Sequence, residues 1–503
     1  MDPGAPGHRS KHRHFHRARD RTWRTHHRYR KLPRSSLGAR PGRRDRPAHP
    51  CRSRGSKYWL YADRHELLRT HVIARQIYVW TYLPGLAEPV VAGAFKHTEL
   101  TSASGRGEFA YGASYLARQN AVALCPAVPL GRTLFSTTAN RGYFGFLLDA
   151  GPDSWGRALI DRLYGAQDQL GYLRLSQGGV RTGALLFSDS PSTVNSTAWL
   201  ASISELEDIQ RAARAVEQGK DLPHDAEQLL RPGLSLGGAR PKCSVLANGR
   251  IWIAKFPSTK DSPELPEVAR QEHAMYLLAR RAGIEVPNCQ LIEVGGRAVF
   301  LTERFDVDVL PTGEFGRLRY ASARSALEVA DLPPSPHGSY PGLARRMTKW
   351  SEDPAVDIRQ LFRRMVFNIA TSNTDDHELN HGFVDGPDVS SVDTLRLAPA
   401  FDLVPSVITT ERMYQGMLVG DEGALSTFEN AVSSAALFRL TPNQAWDVVE
   451  EVSQVVSDYW QGSLEESGIC SQEVGKLKRA FTRHLAATNE PLSPAPAPRE
   501  RPR

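Results

Sequence analysis

Asp375 and Asn380 are separated by four residues in the segment Asn373-Thr374-Asp375-Asp376-His377-Glu378-Leu379-Asn380. A short loop with that spacing can offer a carboxylate to a hydroxyl and an amide oxygen to a metal ion close by, which is the division of labour in phosphoryl transfer. Acidic and amide side chains in loops are also common turn formers, so the pair takes its meaning from what accompanies it. His377, two positions past the aspartate, is a candidate for both catalysis and cofactor contact.

Four further features accompany it in chain order. The loop Ser235-Leu236-Gly237-Gly238-Ala239-Arg240-Pro241-Lys242 feeds straight into an apolar run, so Ser235, Gly237, Gly238, Ala239 and Lys242 could fold over phosphates. It is neither a Walker A motif nor the G-x-G-x-x-G of protein kinases, and alone it says little. Lys255 follows on the run Ile251-Trp252-Ile253-Ala254-Lys255-Phe256, sharing a strand face with Ile251 and Ile253. A lysine there either snorkels at the strand end or neutralises nucleotide phosphates and is held by a glutamate. Glu272 is the candidate partner; a solvated position beside Arg270 or His273 is the other reading. Finally, Asp402 interrupts the strand-like run Leu397-Ala398-Pro399-Ala400-Phe401-Asp402-Leu403. Burying that carboxylate is costly unless it is paired or holds a metal, and Mg2+ suits one or two carboxylates together with phosphate oxygens. The order of the five features carries the argument.

The elements that must position these residues are readable from turn and cap signals. Asn248-Gly249 between two apolar runs predicts a hairpin, since both residues accept positive φ. A helix is expected over 263–281, with Ser262 as N-cap, Pro263 at its first position and Gly283 just past its end. A second hairpin, 289–294 and 298–305, should turn at Gly295-Gly296 and end in Glu303-Arg304-Phe305-Asp306, where a hinge between lobes would lie. An amphipathic helix over 358–370 leads into the Asp375 loop. Upstream, strands are expected from Gln76 and over 109–111 and 128–130, then a helix over 154–163. Ile203, Leu206, Ile209 and Ala212 recur at three-residue spacing in a connector helix.

The fold class these signals predict is α+β: a leader over 1–70, a small α/β unit over 76–170, a connector over 171–230, a domain with all the chemistry over 231–487, and a Pro/Arg-rich tail over 488–503. The leader holds His12, Arg13, His14, His16 and Arg17 with almost nothing apolar, so leader and tail are expected to be disordered. Residues 1–57 contain 18 of the 63 Lys and Arg and only 3 of the 55 Asp and Glu, which makes the remainder mildly acidic despite a net charge of +8. Dense arginine could bind nucleic acid; without a folded reader it could equally be a non-functional extension. The five cysteines are scattered and read as reduced small hydrophobes. No apolar run is long enough to span a bilayer and no secretory signal opens the chain, so a cytoplasmic protein is expected.

The motifs at 235–242, 251–256, 301–306, 373–380 and 397–403 together resemble the HipA family, the serine/threonine kinase toxins of type II toxin-antitoxin systems. Phe109-Ala-Tyr111, Pro126-Ala-Val-Pro129-Leu130 and Gly151-Pro-Asp-Ser-Trp155 resemble that family's N-terminal subdomain. The resemblance covers roughly residues 76 to 480 and implies a two-lobed, protein-kinase-like fold with Mg-ATP as donor. By it, Asp375 is the catalytic base, Asn380 and Asp402 bind magnesium, Lys255 contacts ATP phosphates, and Glu303 and Phe305 hold adenine through backbone groups. Ser235 matches a serine that family members autophosphorylate; a phosphate there would add nearly two negative charges where others must sit. The resemblance also implies a protein acceptor, in studied cases an aminoacyl-tRNA synthetase, and a helix-turn-helix antitoxin through which DNA is reached indirectly. Two positions depart from the pattern. Leu379 stands where a lysine is usual and Asp376 where a small residue is usual, a charge change of about −2 beside the base that disfavours phosphates. This gives the alternative readings of a weakened nucleotide-binding regulatory protein, or a kinase with a non-toxin acceptor.

Overall fold

The computed structural model describes residues 74–487 except 102, 177–179, 223–224, 235, 237, 328–337, 387–392, 408–409 and 411. The leader over 1–70, the tail over 488–503, and the expected loop residues Ser235 and Gly237 lie outside the described residues.

The first sheet is antiparallel, built from β1 (Ala74–Tyr82), β2 (Pro89–Thr101), β3 (Ser104–Tyr111), β4 (Phe135–Thr137) and β5 (Leu185–Ser188) in the order β4-β3-β2-β1-β5. Ile77, Val79, Phe95 and Phe109 are fully buried on it with Phe146 and Leu147. The strand expected over 128–130 does not form. Pro126 and Pro129 remove ladder donors there, and the segment instead turns so that the Val128 carbonyl accepts from Tyr111 Oη at 2.6 Å. Arg181, also fully buried, is held by the carbonyls of Ala150, Leu173 and Ser176 and lies over the Phe187 ring.

The second sheet runs β6-β7-β9-β8, all antiparallel, with β6 (Lys242–Ala247), β7 (Arg250–Lys255), β8 (Cys289–Val294) and β9 (Arg297–Glu303). Both predicted hairpins form: Asn248 and Gly249 have φ of 53° and 70°, Gly295 and Gly296 of 56° and 72°. β9 shows the period of two, for Val299 and Leu301 pack with Trp252, Leu206 and Ile209 while Ala298 and Phe300 face the helix Val268–Arg281. That helix starts five residues later than expected, because Pro266 bars Leu265 from helical backbone and Ser262 caps only a turn. In the connector, Leu206, Ile209 and Ala212 are buried on the helix Leu206–Glu217, whereas Ile203 stands 44% exposed in a short 3-10 turn before it.

The remainder is mainly helical. The helices Tyr340–Trp350, Pro354–Ala370, Pro442–Glu466 and Ser471–Ala487 surround a core of Leu343, Phe362, Met365, Phe367, Phe438 and Val452. A small antiparallel sheet, Tyr320–Ser322 with Gly382–Val384 and Arg396–Leu397, flanks the cleft between this helical part and the second sheet. The strand expected over 397–403 is confined to its first residue; beyond it the backbone is irregular and Asp402 turns left-handed at φ 59°.

The N-terminal sheet domain is fastened to the rest by buried polar contacts. Asp149 accepts from Ser322 N, Ser322 Oγ and Ser325 Oγ, each at 2.7 Å. Arg304 donates to the carbonyls of Val180 at 2.6 Å and Arg181 at 2.5 Å, and Asp306 accepts from Gly183 N at 2.7 Å. The architecture is α+β, with two lobes about one cleft and a small subdomain in front of them. Among the described residues no helix is long and apolar enough to cross a membrane.

Candidate active site

Between the second sheet and the helical part lies a cleft of about 700 Å³, lined by residues from many separated stretches of chain, 145–157, 236–255, 302–306, 320–324, 373–380 and 401–406 among them. At its inner wall Lys255 Nζ sits 2.6 Å from Glu272 Oε1 and 2.9 Å from Asp402 Oδ1. The strand β7 and the helix Val268–Arg281 bring the first two together, which settles Glu272 as the lysine's partner rather than a solvated residue. Glu272 is 3% exposed and the Lys255 side chain 12% exposed. Burial works against the lysine's charge, but the carboxylates of Asp402 and Glu272 outweigh it and raise its pKa. Lys255 in turn holds the Asp402 carboxyl well below the ordinary carboxylate range.

Asp402 is not the buried carboxylate that its apolar neighbours suggested. Its side chain is half exposed and opens into the cleft, while Leu403 and Ala400 on either side are buried. The left-handed backbone explains the difference, since it turns this one side chain out of the run. Of six non-glycine residues with positive φ among the described residues, Asp402 and Ser372 both flank this cleft, and such strain is held where surrounding structure enforces it.

Ser372 closes the turn between the helix Pro354–Ala370 and the loop at 373–380. Its Oγ donates to Ala480 O at 2.8 Å, and its carbonyl accepts from Ser406 N at 3.0 Å. Asn373 Nδ2 donates to Asn368 Oδ1 at 3.1 Å, and Thr374 Oγ1 meets Ser406 Oγ at 2.7 Å. So anchored, the loop exposes Asp375 to the cleft and keeps Asn380 mostly buried, its Nδ2 donating to the Asp375 carbonyl at 3.3 Å. His377 lines the cleft too, with Nδ1 accepting from Leu379 N at 3.3 Å.

Asp376 corrects the sequence reading. It is 1% exposed, turned away from the cleft, and accepts from Tyr340 Oη and from His381 Nε2 at 2.7 Å. Its charge is spent beneath the loop and does not confront a ligand, so its half of the expected electrostatic penalty falls away, while the lysine missing at Leu379 still leaves the cleft one cation short. Leu379 does line the cleft, as expected, and Arg324 lines it as well, with Nε 3.4 Å from Glu378.

Gly238, Ala239 and Lys242 of the glycine loop lie on the cleft wall. Gly238 has φ 85°, a left-handed backbone that favours glycine, and the Lys242 ammonium lies against the space a side chain there would take. Burial, and Lys255 close by, lower the Lys242 pKa to about 8. At the opposite end Glu303 and Phe305 line the cleft, with Phe305 packed against Phe401 at 5.7 Å between ring centres. The described site residues expected from sequence therefore converge on one cleft. Missed were Asp149, Asp153 and Arg157 of the N-terminal subdomain, which also line it. The Gly151-Pro-Asp-Ser-Trp155 motif is the sequence signal for them, though nothing in its residue types alone marks it as chemical.

A magnesium nucleotide fits this donor set. Among the described residues no group of three His, Cys, Asp or Glu is arranged to hold a metal alone. Asp402 and Asn380 are the residues on the cleft that could offer oxygens to Mg2+ beside phosphate oxygens, the coordination magnesium favours.

The family model described as "HipA-like C-terminal domain" matches residues 234–460. Two curated relatives come from Sinorhizobium fredii: "Putative kinase Y4dM", 28% identical over 44% of this chain and 56% of its own length, and "Putative kinase Y4mE", 26% identical over 59% and 72%. A "Putative kinase" of Haemophilus influenzae is 24% identical over 38% of this chain and 60% of its own length. The chain thus spans little more than half the length of two of these relatives. Among solved structures, the HipA of Shewanella oneidensis, in its complex with HipB and operator DNA, superposes with a TM-score of 0.58 at 19% identity over 81% of this chain and 96% of that one. Residues 234–460 thus match the HipA-like C-terminal domain family, and the described residues share the HipA fold.

Proposed function

We propose that this protein transfers the γ-phosphoryl group of Mg-ATP to a serine or threonine hydroxyl of a protein, as the toxin of a toxin-antitoxin pair. The observation that carries the reading is the double engagement of Lys255 by Glu272 and Asp402, across one cleft from Asp375 and Asn380. Bound Mg-ATP would supply the transferable phosphoryl group and the cation that draws charge from it.

The chain's own residues do the rest. Asp375, exposed and carried on an anchored loop, accepts the proton of the attacking hydroxyl. Asn380 and Asp402 offer oxygens to the metal, and Lys255 and Lys242 place positive charge at the phosphate end. Backbone groups at Glu303 and Phe305 would hold the adenine edge, and Thr302 lines the cleft beside them. His377, fixed by the Leu379 amide, stands beside the base as a further donor.

The solved HipA that shares this fold is in complex with HipB and operator DNA, which supports an antitoxin as partner, of the helix-turn-helix kind, with DNA reached through it; a protein acceptor, with an aminoacyl-tRNA synthetase as the candidate class, is part of the same proposal. Ser235 is the proposed site of autophosphorylation.

The test is incubation of the purified protein with magnesium and γ-labelled ATP beside Asp375→Ala, followed by mapping of the phosphosite. Label that appears on Ser235 and vanishes in the variant supports the reading. A wild-type protein that binds ATP yet transfers no phosphate to itself or to added proteins would replace it with the regulatory one.

A further inference from the structure

The helix Ser154–Tyr164 of the N-terminal subdomain uses its first turn in an unusual way. Asp153 is its N-cap residue, yet its carboxylate makes no cap hydrogen bond to that helix. Asp153 Oδ2 instead accepts from Gly238 N at 3.1 Å, across 85 residues of sequence. Trp155 N, one of the amides a helix start leaves without an internal partner, donates to Gly238 O at 3.0 Å. The Trp155 indole Nε1 donates to Lys242 O, also at 3.0 Å. Both ends of the described stretch Gly238–Lys242 are thus held by two residues of another subdomain.

The surrounding packing is built for this approach. A Cβ on Gly156 would meet Leu234 O and the Pro152 side chain at 2.7 Å, and one on Gly233 would meet Lys242 O at 2.7 Å and Trp155 Nε1 at 3.2 Å. Trp155 itself is 4% exposed and packs with Leu159, Ile160 and Leu234. Asp153 is exposed on the cleft rim.

We propose that Asp153 and Trp155 are positioning residues for the phosphate end of the cleft. The N-terminal subdomain grips the backbone of Gly238 and Lys242 and so fixes where the Lys242 ammonium and the loop amides meet a nucleoside triphosphate. Neither residue touches the reacting atoms; each acts through the loop. This inference rests on the nucleotide reading above and adds that the kinase domain's phosphate grip depends on contacts outside residues 234–460.

The experiment measures the affinities of the full-length protein for Mg-ATP and for adenosine, which lacks the phosphates, together with melting temperature. Trp155→Phe keeps a buried ring and removes the indole donor; Asp153→Ala removes the acceptor, and Asp153→Asn keeps an oxygen that can accept from Gly238 N. Trp155→Phe and Asp153→Ala should each raise the Kd for Mg-ATP about tenfold, the scale of one lost hydrogen bond, and leave the adenosine Kd within about twofold. Asp153→Asn should bind Mg-ATP nearly as the wild type does. Unchanged Mg-ATP affinity in both disruptive variants overturns the proposal. So does a parallel loss of both ligands that tracks a fall in melting temperature, which would make the contacts structural only. Should Trp155→Phe not fold, Asp153→Ala on its exposed rim decides the matter. A wild-type protein that binds neither ligand would defeat the nucleotide reading, and this inference with it.

Discussion

Asp375 and Asp376 are chain neighbours whose carboxylates face opposite ways: Asp375 is exposed to the cleft, and Asp376 is buried beneath it against Tyr340 and His381. Substituting them should separate chemistry from stability. Asp375→Ala should melt within a degree or so of the wild type while phosphoryl transfer falls by about 10²–10⁴-fold, the usual worth of a positioned general base. Asp376→Ala leaves two buried donors without their acceptor, at about 1–3 kcal/mol each. Its melting temperature should therefore drop by several degrees. Calorimetry alongside a phosphoryl-transfer assay checks both, and a thermally silent Asp376→Ala would contradict the arrangement.

Lys255 and Glu272 should behave as one unit. Lys255→Met should lower kcat/KM for ATP about 10²–10³-fold, as removal of a preorganised cation does elsewhere. Glu272→Gln keeps the shape but not the charge, and a loss of roughly tenfold is expected as Lys255 is less firmly held. The double variant should be no worse than Lys255→Met alone, because the glutamate acts only through the lysine. Additive losses in steady-state kinetics would show that Glu272 acts independently.

Lys242, its pKa lowered to about 8 by burial and by Lys255, gives the protein an alkaline limb. The ammonium must be charged to meet phosphates, so kcat/KM for ATP, which reports the free enzyme, should decline as pH rises through about 8. The stability sign runs the other way. A lysine that must stay charged inside the fold below its lowered pKa costs stability there, and this cost is relieved between about 8 and the ordinary lysine value near 10.4. Lys242→Arg, charged throughout this range, should flatten the kinetic limb while retaining part of the activity. A wild-type profile flat from pH 7 to 9.5 would count against the role given to Lys242.

Most of the cleft was legible because its residues sit in locally signalled elements. Asn248-Gly249 and Gly295-Gly296 could only be tight turns, and they fix the register that brings Lys255 and Glu303 to the cleft. Less was legible wherever a residue's direction depends on partners far along the chain. Nothing local to Asp376 says that Tyr340 and His381 wait below it, and nothing in the run 397–403 says that Asp402 turns left-handed out of its apolar neighbours. The late start of the helix Val268–Arg281 has a nearer cause, for Pro266 carried the stop signal that Pro263 obscured. The contribution of Asp153 and Trp155 was hidden for the first reason: their partners are Gly238 and Lys242, in a different subdomain.

The segment that follows Glu303 rests on a buried charge cluster whose strength depends on pH. Asp306 accepts from Arg304 Nη2 at 2.6 Å and Nε at 2.9 Å and from Arg317 Nη2 at 3.1 Å, with all three side chains nearly inaccessible. Burial pushes the Asp306 carboxyl up, but Arg304 and Arg317 together hold it well below the ordinary carboxylate range. A lowered pKa means stability that is complete above the unfolded value of about 3.9 and is lost as pH falls toward the folded one. Asp306→Ala should cost about 3–5 kcal/mol at neutral pH, since it leaves two buried guanidinium groups without their carboxylate. Asp306→Asn should be less damaging and, between about pH 4.5 and 2.5, should lose stability less steeply than the wild type. Urea unfolding across that window reads both effects. Parallel pH slopes for Asp306→Asn and the wild type would mean that other carboxylates set the acid limit and that this cluster positions the segment after Glu303 without stabilising it.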